Sequence, residues 1–162
     1  MSTDASTARP LVVVGVDGSE QSKRALQWAG RLERLPGAPQ LPQIQAVIVW
    51  DYPAPYGVGA PMGGGGGNEL AQGILDNAVK SAFPEGIPEN VTQVVRRGGV
   101  AQTLIDLSKG AQLAVVGSRG HGGIAGLFLG SVSMRVAERA ACPVLVVHGD
   151  KDTSVPAGAG RV

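Results

Sequence analysis

Residues 11–19, LVVVGVDGS, predict a buried β-strand that ends in a tight turn and leads into a helix. The run from Leu11 to Val16 is continuously apolar and rich in β-branched residues, which is typical of a central parallel strand covered on both faces. Ser19 is a candidate N-cap, because apolar residues follow it at helical spacing: Ala25, Leu26, Ala29 and Leu32. The stretch therefore indicates a β-turn-α unit.

The same unit recurs along the chain. Further strands are predicted at 44–50, 91–95, 113–116 and 143–148, and further helices from Asn68 to about Phe83, at 100–108 and at 131–141. The second helix is expected to have one apolar side made of Leu70, Ile74, Leu75, Ala78, Val79 and Ala82, and the fourth helix carries the apolar residues Val132, Met134 and Val136. Five such units predict an α/β domain: a five-stranded parallel sheet with helices on both faces, a Rossmann-like arrangement. We expect the strand order 3-2-1-4-5, in which the first and fourth strands are neighbours.

The composition of the chain argues against several classes of function. The chain has 162 residues, which suits one domain, and its 14 basic and 13 acidic residues leave a net charge of +1. This balance argues against a general nucleic-acid or membrane-surface binder. One cysteine and two histidines exclude an intramolecular disulfide framework and leave no local cluster of metal ligands. Because the sequence contains no apolar run of about 20 residues and no signal-like start, we expect a cytoplasmic location.

Glycine is concentrated in two places. The stretch 53–67 is rich in Gly and Pro, and we interpret it as a solvated linker or, alternatively, as a cover over one end of the site. We expect residues 1–9 to form a disordered tail, 10–148 a single domain, and 149–162 a flexible tail.

The second concentration has a regular spacing: Gly117-x-x-Gly120, nine residues, then Gly130-Ser131 and a helix. Glycines allow positive φ and a close approach of backbone to ligand, and a helix N-terminus directs free N–H groups at an anion. The hydroxyls of Ser131 and Ser133 would add donors. The segment therefore suggests a phosphate cradle. The alternative is a flexible glycine loop in which Ser131 only caps the helix.

A ligand crevice is expected where the sheet order reverses, beyond the carboxyl ends of the first and fourth strands. The first strand leads there into Asp17 and the fourth into the glycine segment. Other nucleotide and hydrolase signatures do not occur: the sequence has no G-x-x-x-x-G-K-[ST], no G-x-G-x-x-G after the first strand and no G-x-S-x-G. We therefore expect neither a Walker-type site nor a dinucleotide site of the usual kind.

The spaced glycines, VVVGVDGS near the start and CPVLVVH near the end resemble the universal stress protein family, in particular its nucleotide-binding branch common in actinobacteria. The resemblance covers about residues 10–148 and implies an adenine nucleotide alpha hydrolase-like fold. It also implies ATP as the ligand, with Mg²⁺ as a companion cation. The long 53–67 stretch departs from the family pattern, in which this connection is variable.

The resemblance also implies roles for single residues. Asp17 matches the acidic residue that contacts ribose or a phosphate-bound cation, and Val49 matches the position whose backbone reads the adenine edge. The other matched positions are the adenosine wall, the ribose and phosphate turn, and the triphosphate-contacting helix start: Gly15 and Val16; Gly117, Ser118, Arg119 and Gly120; and Gly130, Ser131, Val132 and Ser133.

The functional hypothesis is an ATP-binding regulatory protein of the stress response. The resemblance implies a homodimer that pairs the last strand, 143–148, whose apolar edge would otherwise be exposed. One alternative is a slow ATPase or nucleotide hydrolase in the same pocket, although Asp17 is the only acid placed near the phosphates and no catalytic residue is assigned. The other is a nucleotide-free dimeric scaffold. No nucleic acid or membrane is expected as a partner.

Overall fold

The computed structural model describes residues 9–32, 40–51, 66–119 and 129–149. Five strands alternate with four helices along these segments. The elements are β1 (Leu11–Gly15), α1 (Glu20–Gly30), β2 (Gln43–Trp50), α2 (Gly66–Ala82), β3 (Val91–Arg97), α3 (Val100–Ser108), β4 (Leu113–Gly117), α4 (Ser131–Arg139) and β5 (Val144–Val147). Among the described residues, no helix is long and apolar enough to cross a membrane.

The five strands form one sheet in the order β3-β2-β1-β4-β5, and every neighbouring pair is parallel. The predicted fold class and strand order are thereby confirmed. Gly15 lies opposite Val47 on β2, and on the other side of β1 Val14 lies opposite Val115 on β4. The sheet order reverses between β1 and β4, so the carboxyl ends of these two strands border a crevice.

The continuous apolar runs follow from burial on both faces of the sheet. On one face α1 and α2 pack against alternate strand residues such as Val12, Val14 and Ile44. On the other face α3 and α4 pack against the intervening residues, among them Val13 and Val47. Successive side chains of a strand point to opposite faces of the sheet, so neighbouring residues belong to different cores. Because helices cover both faces, the strands are apolar at successive positions and do not alternate with polar residues.

The predicted apolar side of α2 is partly wrong. Leu70 is 67% exposed and Ile74 is exposed as well, while the buried stripe is Ala71, Leu75, Ala78, Val79 and Ala82. That stripe keeps the spacing of three and four residues throughout, whereas Leu70 and Ile74 lie one residue, about 100° of helix rotation, ahead of its members. In α4, Met134 is exposed and Val136 is buried.

The glycines at the end of the predicted linker belong to a helix. Helix α2 begins at Gly66, two residues before the predicted cap Asn68. Gly67 lies so close to the ring of Trp50 that a Cβ there would overlap it, so a glycine is needed for packing. The Arg97 guanidinium lies over the same ring, 5.7 Å from its centroid. The rest of the linker, residues 1–8 and residues 150–162 lie outside the described residues, so those predictions stay predictions.

Candidate functional site

A cleft of about 320 Å³ opens at the carboxyl ends of β1, β2 and β4. Its volume falls in the range of roughly 300–1,000 Å³ that is usual for small-molecule sites. The described residues that line it come from six elements and their connections: Gly15, Val16, Asp17, Ser22, Val47, Val49, Val100, Leu104, Val116, Gly117, Arg119, Gly130, Ser131, Val132 and Ser133.

The turn after β1 places Asp17 at this cleft. The Asp17 Oδ1 accepts a hydrogen bond of 2.9 Å from the Ser19 N–H, which closes an Asx turn. Gly18 has φ +83°, and a Cβ there would lie 2.8 Å from the Ile74 Cγ2, so both conformation and space require glycine. Ser19 caps α1 as predicted, because its Oγ accepts from the Ser22 N–H at 3.2 Å. The turn therefore fixes the position of the Asp17 carboxylate.

The glycine at the end of β4 is required by packing. A Cβ on Gly117 would lie 2.8 Å from the Gln21 Cβ and 3.1 Å from the Gln21 carbonyl carbon, so the first turn of α1 can approach β4 only at a glycine. The described residues with positive φ are Gly18, Gly86 and Gly98, and Gly130 has φ −67°. Neither Gly117 nor Gly130 therefore uses the positive φ that a glycine allows. Close approach is the reason for Gly117.

Ser118 differs from its neighbours Gly117 and Arg119 in its position relative to the cleft. Its side chain is buried, at 4% exposure, and is absent from the cleft lining. Its backbone makes two bonds: the N–H donates to the Val147 carbonyl on β5 at 2.8 Å, and the carbonyl accepts from the Gly130 N–H at 2.7 Å. Ser118 therefore joins the start of α4 to β5, and its place in the ribose and phosphate turn, implied by the family resemblance, stays a prediction.

Helix α4 begins at the cleft. Its N-cap residue is Gly130, whose carbonyl accepts from the Met134 N–H at 2.9 Å, and in the described part of the chain no side chain caps the helix. The alternative in which Ser131 is the cap is therefore wrong. Ser131 is the first helical residue and is exposed. The first three amides of an α-helix have no partner within the helix, and here they belong to residues that line the cleft.

The hydroxyl of Ser133 is already engaged. It donates to the Gly117 carbonyl at 2.5 Å, and the side chain is 5% exposed. The prediction that Ser133 offers its proton to a phosphate does not agree with this arrangement. Ser131, by contrast, has an exposed side chain at the same helix end.

At its other end the cleft borders backbone groups of β2. Within a parallel strand, alternate residues direct their N–H and C=O to opposite neighbours. Val47 accepts from the Val16 N–H at 2.8 Å, so Val47 and also Val49 are directed toward the β1 side, while the Trp50 carbonyl accepts from Gly98 on the other side. The pairing of β2 with β1 ends at Val47, which lies opposite Gly15. Val49 lies beyond this point, so its N–H and C=O face the cleft.

Side chains on the face of the sheet that α3 and α4 cover surround the Val49 N–H and C=O groups. Val47 and Leu104 are buried, and Val100, the first residue of α3, is partly exposed at the cleft. A Cβ on Gly15 would lie 3.0 Å from the Leu104 Cδ1, so Leu104 closes the floor of the cleft beneath β1. The cleft is therefore apolar near Val49 and rich in amide and hydroxyl groups near α4.

Sequence reasoning missed five lining residues: Ser22, Val47, Val100, Leu104 and Val116. One signal was available for Val47, since it lies two residues before Val49 and so on the same face of β2. For Val100 and Leu104 the sequence shows only an apolar helix, and the crossing of α3 over β1 and β2 is decided by tertiary packing.

Within the described part, two charged residues line the cleft, Asp17 and the exposed Arg119. Among those residues, no group of three or more His, Cys, Asp or Glu side chains is placed to hold a metal ion. A cation in this cleft would therefore need ligands from a bound molecule in addition to a carboxylate.

Comparison with known proteins agrees with this fold. The family model described as "Universal stress protein family" matches residues 10–148. The chain belongs to the universal stress protein family. Two curated members are similar to it: a universal stress protein of Mycolicibacterium smegmatis, 38% identical over 86% of this chain and 48% of its own length, and universal stress protein Rv2623 of Mycobacterium tuberculosis, 34% identical over 90% and 49%.

The chain thus spans about half the length of these curated relatives. Among solved structures, a universal stress protein in complex with cAMP is 30% identical, with a TM-score of 0.61, and the match covers 88% of this chain and 98% of that one. Membership of the universal stress protein family therefore rests on sequence and on fold together.

Most of the positions implied by the family resemblance come together in the structure. Those that line the cleft are Gly15, Val16, Asp17, Val49, Gly117, Arg119, Gly130, Ser131, Val132 and Ser133. Ser118 lies behind the cleft, and Gly120 lies outside the described residues. The universal stress protein motif is therefore gathered at one crevice, although its two ends are separated by more than 100 residues of chain.

Proposed function

We propose that the chain binds an adenine nucleotide, with ATP and Mg²⁺ as the working pair, in the cleft between β1 and β4. The observation that carries the proposal is that a helix start without a side-chain cap and the β1-facing backbone groups of Val49, which lie beyond the pairing with β1, open into the same cleft. The universal stress protein solved with cAMP, 30% identical to this chain, supports an adenine nucleotide as the ligand.

At the polar end, the amides of Ser131, Val132 and Ser133 would receive the phosphates. Three N–H groups together with the positive end of the helix dipole suit an anion, and no acidic residue occurs in the first turn of α4 to compete. Arg119 lines the same end and would add a guanidinium. The residues present therefore fit a phosphate chain.

At the apolar end, the Val49 backbone would read the base. A neighbouring N–H and C=O complement adenine, whose edge presents a ring-nitrogen acceptor beside an amino donor. A guanine carbonyl would instead oppose the Val49 carbonyl. Val100 and Leu104 would cover the faces of the ring. This geometry favours ATP over GTP.

Asp17 would hold the ribose or the cation. Its Oδ1 accepts from Ser19, and the carboxylate lies in the cleft with the polar end of the site. A carboxylate beside a triphosphate is repulsive unless a divalent cation lies between them, and Mg²⁺ is usually held by one or two carboxylates plus substrate phosphates. When bound, Mg²⁺ would neutralise phosphate charge.

We further propose that the protein works in the cytoplasm as a homodimer paired through residues 143–148, and that nucleotide occupancy regulates its part in the stress response. Strand β5 lies at the edge of the sheet, with Val144, Leu145 and Val146 only partly buried. Edge strands with apolar side chains are usually covered in native proteins. Sedimentation equilibrium tests this step, and a monomer at all concentrations would contradict it.

Calorimetry and thermal unfolding with ATP, GTP, AMP, cAMP and adenosine test the ligand. At about 100 times its Kd, a ligand adds roughly 2.7 kcal/mol to the free energy of unfolding, which raises the Tm by roughly 5–10 °C. We expect this shift with ATP and Mg²⁺ and not with GTP. No shift with any adenine nucleotide would contradict the proposal. Phosphate release lost in Asp17→Ala, with ATP binding kept, would identify an ATPase.

A further inference from the structure

The two serines in the first turn of α4 lie in different surroundings. Ser131 is exposed at the cleft and is not the N-cap of its helix. Ser133, two residues later, is 5% exposed, and its Oγ donates to the Gly117 carbonyl at 2.5 Å. Both residues line the cleft, so position alone does not distinguish them.

The two serines differ in whether the single proton of the hydroxyl is already used in a hydrogen bond. A serine hydroxyl has one donor proton, and the proton of Ser133 is used by Gly117. A phosphate could take it only if that bond broke and a carbonyl at the end of a central strand lost its partner, which is unfavourable. The exposed hydroxyl of Ser131 can rotate toward a phosphate without breaking such a bond.

The Gly117 carbonyl belongs to a junction that holds several elements together. On its other side Gly117 packs against Gln21 of α1. The next residue, Ser118, donates to Val147 on β5 and accepts from the Gly130 N–H. The Ser133 hydroxyl therefore holds the first turn of α4 against the end of β4, and both segments line the cleft.

We propose that Ser133, unlike Ser131, is not a phosphate contact but a positioning residue, which holds the start of α4 against Gly117. The inference rests on the proposed nucleotide function and assigns separate roles to the two serines of that site. Gly117 ends β4 beside β1, whose Gly15 and the following Val16 are the positions that the family resemblance assigns to the adenosine wall, so we expect Ser133 to affect adenosine and ATP alike. Ser131 affects only ligands that carry phosphate.

The test compares Ser131→Ala, Ser133→Ala and Ser133→Thr by calorimetry with ATP and with adenosine, together with the Tm of each ligand-free protein. In Ser131→Ala we expect the ratio of ATP affinity to adenosine affinity to fall about tenfold. In Ser133→Ala we expect both affinities to fall by the same factor, about tenfold, and the ligand-free Tm to fall by several degrees. Because Ser133→Thr keeps a hydroxyl, we expect this variant to retain most of the affinity for ATP and for adenosine.

Two outcomes overturn the inference. A loss in Ser133→Ala confined to ATP, with an unchanged ligand-free Tm, would make Ser133 a phosphate donor. A lower Tm with both affinities intact would make it structural only. Should Ser133→Ala fail to fold, a crystal structure of the wild-type ATP complex decides, according to whether the Ser133 Oγ contacts the Gly117 carbonyl or a phosphate. Wild-type protein that binds neither ligand would contradict the proposed function itself, a separate result.

Discussion

Two helices begin beside Gly117, and they begin differently. The start of α1 is closed by its own residues: the Ser19 Oγ accepts the Ser22 N–H, the Ser22 hydroxyl donates to the Ser19 carbonyl, and Glu20 provides a negative charge in the first turn. The start of α4 has a glycine cap, no acidic residue in its first turn and a position along the cleft.

The difference separates a helix end that supports the fold from one that is available to a ligand. In α1 the dipole and one amide are satisfied internally, so α1 can pack tightly on β4 through Gly117. In α4 the first-turn amides are left for another acceptor. Substitutions that exchange these properties test the comparison directly.

The largest effect is expected when α4 is given a cap like that of α1. Gly130 has φ −67° and ψ 157°, which suit a capping side chain, so Gly130→Asp would fold with an unchanged or higher ligand-free Tm. Its carboxylate would occupy the helix end and repel phosphate, and we expect ATP affinity to fall about 100-fold or more. Calorimetry measures the affinity.

Gly130→Asn is the matched control, since it offers the same cap without the charge. We expect a smaller loss of ATP affinity in this variant than in Gly130→Asp. Equal affinity for ATP in wild type and Gly130→Asp would mean that the start of α4 does not meet the phosphates.

The next effect concerns the contact between α1 and β4. Gly117→Ala places a Cβ 2.8 Å from the Gln21 Cβ and close to α1 backbone, so we expect the free energy of unfolding to fall by about 1–3 kcal/mol. Urea denaturation measures it. Gly110→Ala serves as the control, because a Cβ there meets nothing within 4 Å. Similar stabilities for the two variants would show that α1 does not need a glycine at this position.

A smaller effect is expected at the turn that joins β1 to α1. Asp17→Asn keeps the acceptor for the Ser19 N–H and removes the charge, so the turn should persist. We expect ATP affinity in the presence of Mg²⁺ to fall about tenfold, and the Mg²⁺ dependence of binding to diminish. Titration with ATP at several Mg²⁺ concentrations checks this. An undiminished Mg²⁺ dependence would place the cation elsewhere.

The smallest effect is expected at the cap of α1 itself. Ser19→Ala removes the acceptor for the Ser22 N–H and should lower the free energy of unfolding by about 1 kcal/mol, or roughly 2–4 °C in Tm. Thermal unfolding without ligand measures the change. ATP affinity that fell as strongly as in Gly130→Asp would contradict the division between a supporting and a ligand-facing helix end.

Much of this architecture could be predicted from the pattern of residues. The apolar run at residues 11–16 required a strand covered on both faces, and its repetition between amphipathic segments required a parallel sheet. The chemistry at the site was also visible, since Asp17 and the Gly130-Ser131 pair follow predicted strands on the side where a ligand binds. Local order along the chain was enough for these conclusions.

Other features depended on contacts between distant segments. The sequence placed Leu70 in the core and Ser133 among the phosphate donors, but Leu70 faces away from the sheet and Ser133 donates to Gly117. The need for glycine at position 117 comes from Gln21, almost 100 residues earlier in the chain.

By itself the sequence determined which segments are strands and helices, the order in which they pair, and which two segments meet at the crevice. Only the tertiary structure decided which side chains face the cleft. Val100 and Leu104, for example, line it because α3 crosses β1 and β2 at this point. The physical reason is that periodicity reports which face of an element is apolar, whereas the partner of a single hydroxyl or glycine is chosen by packing between elements.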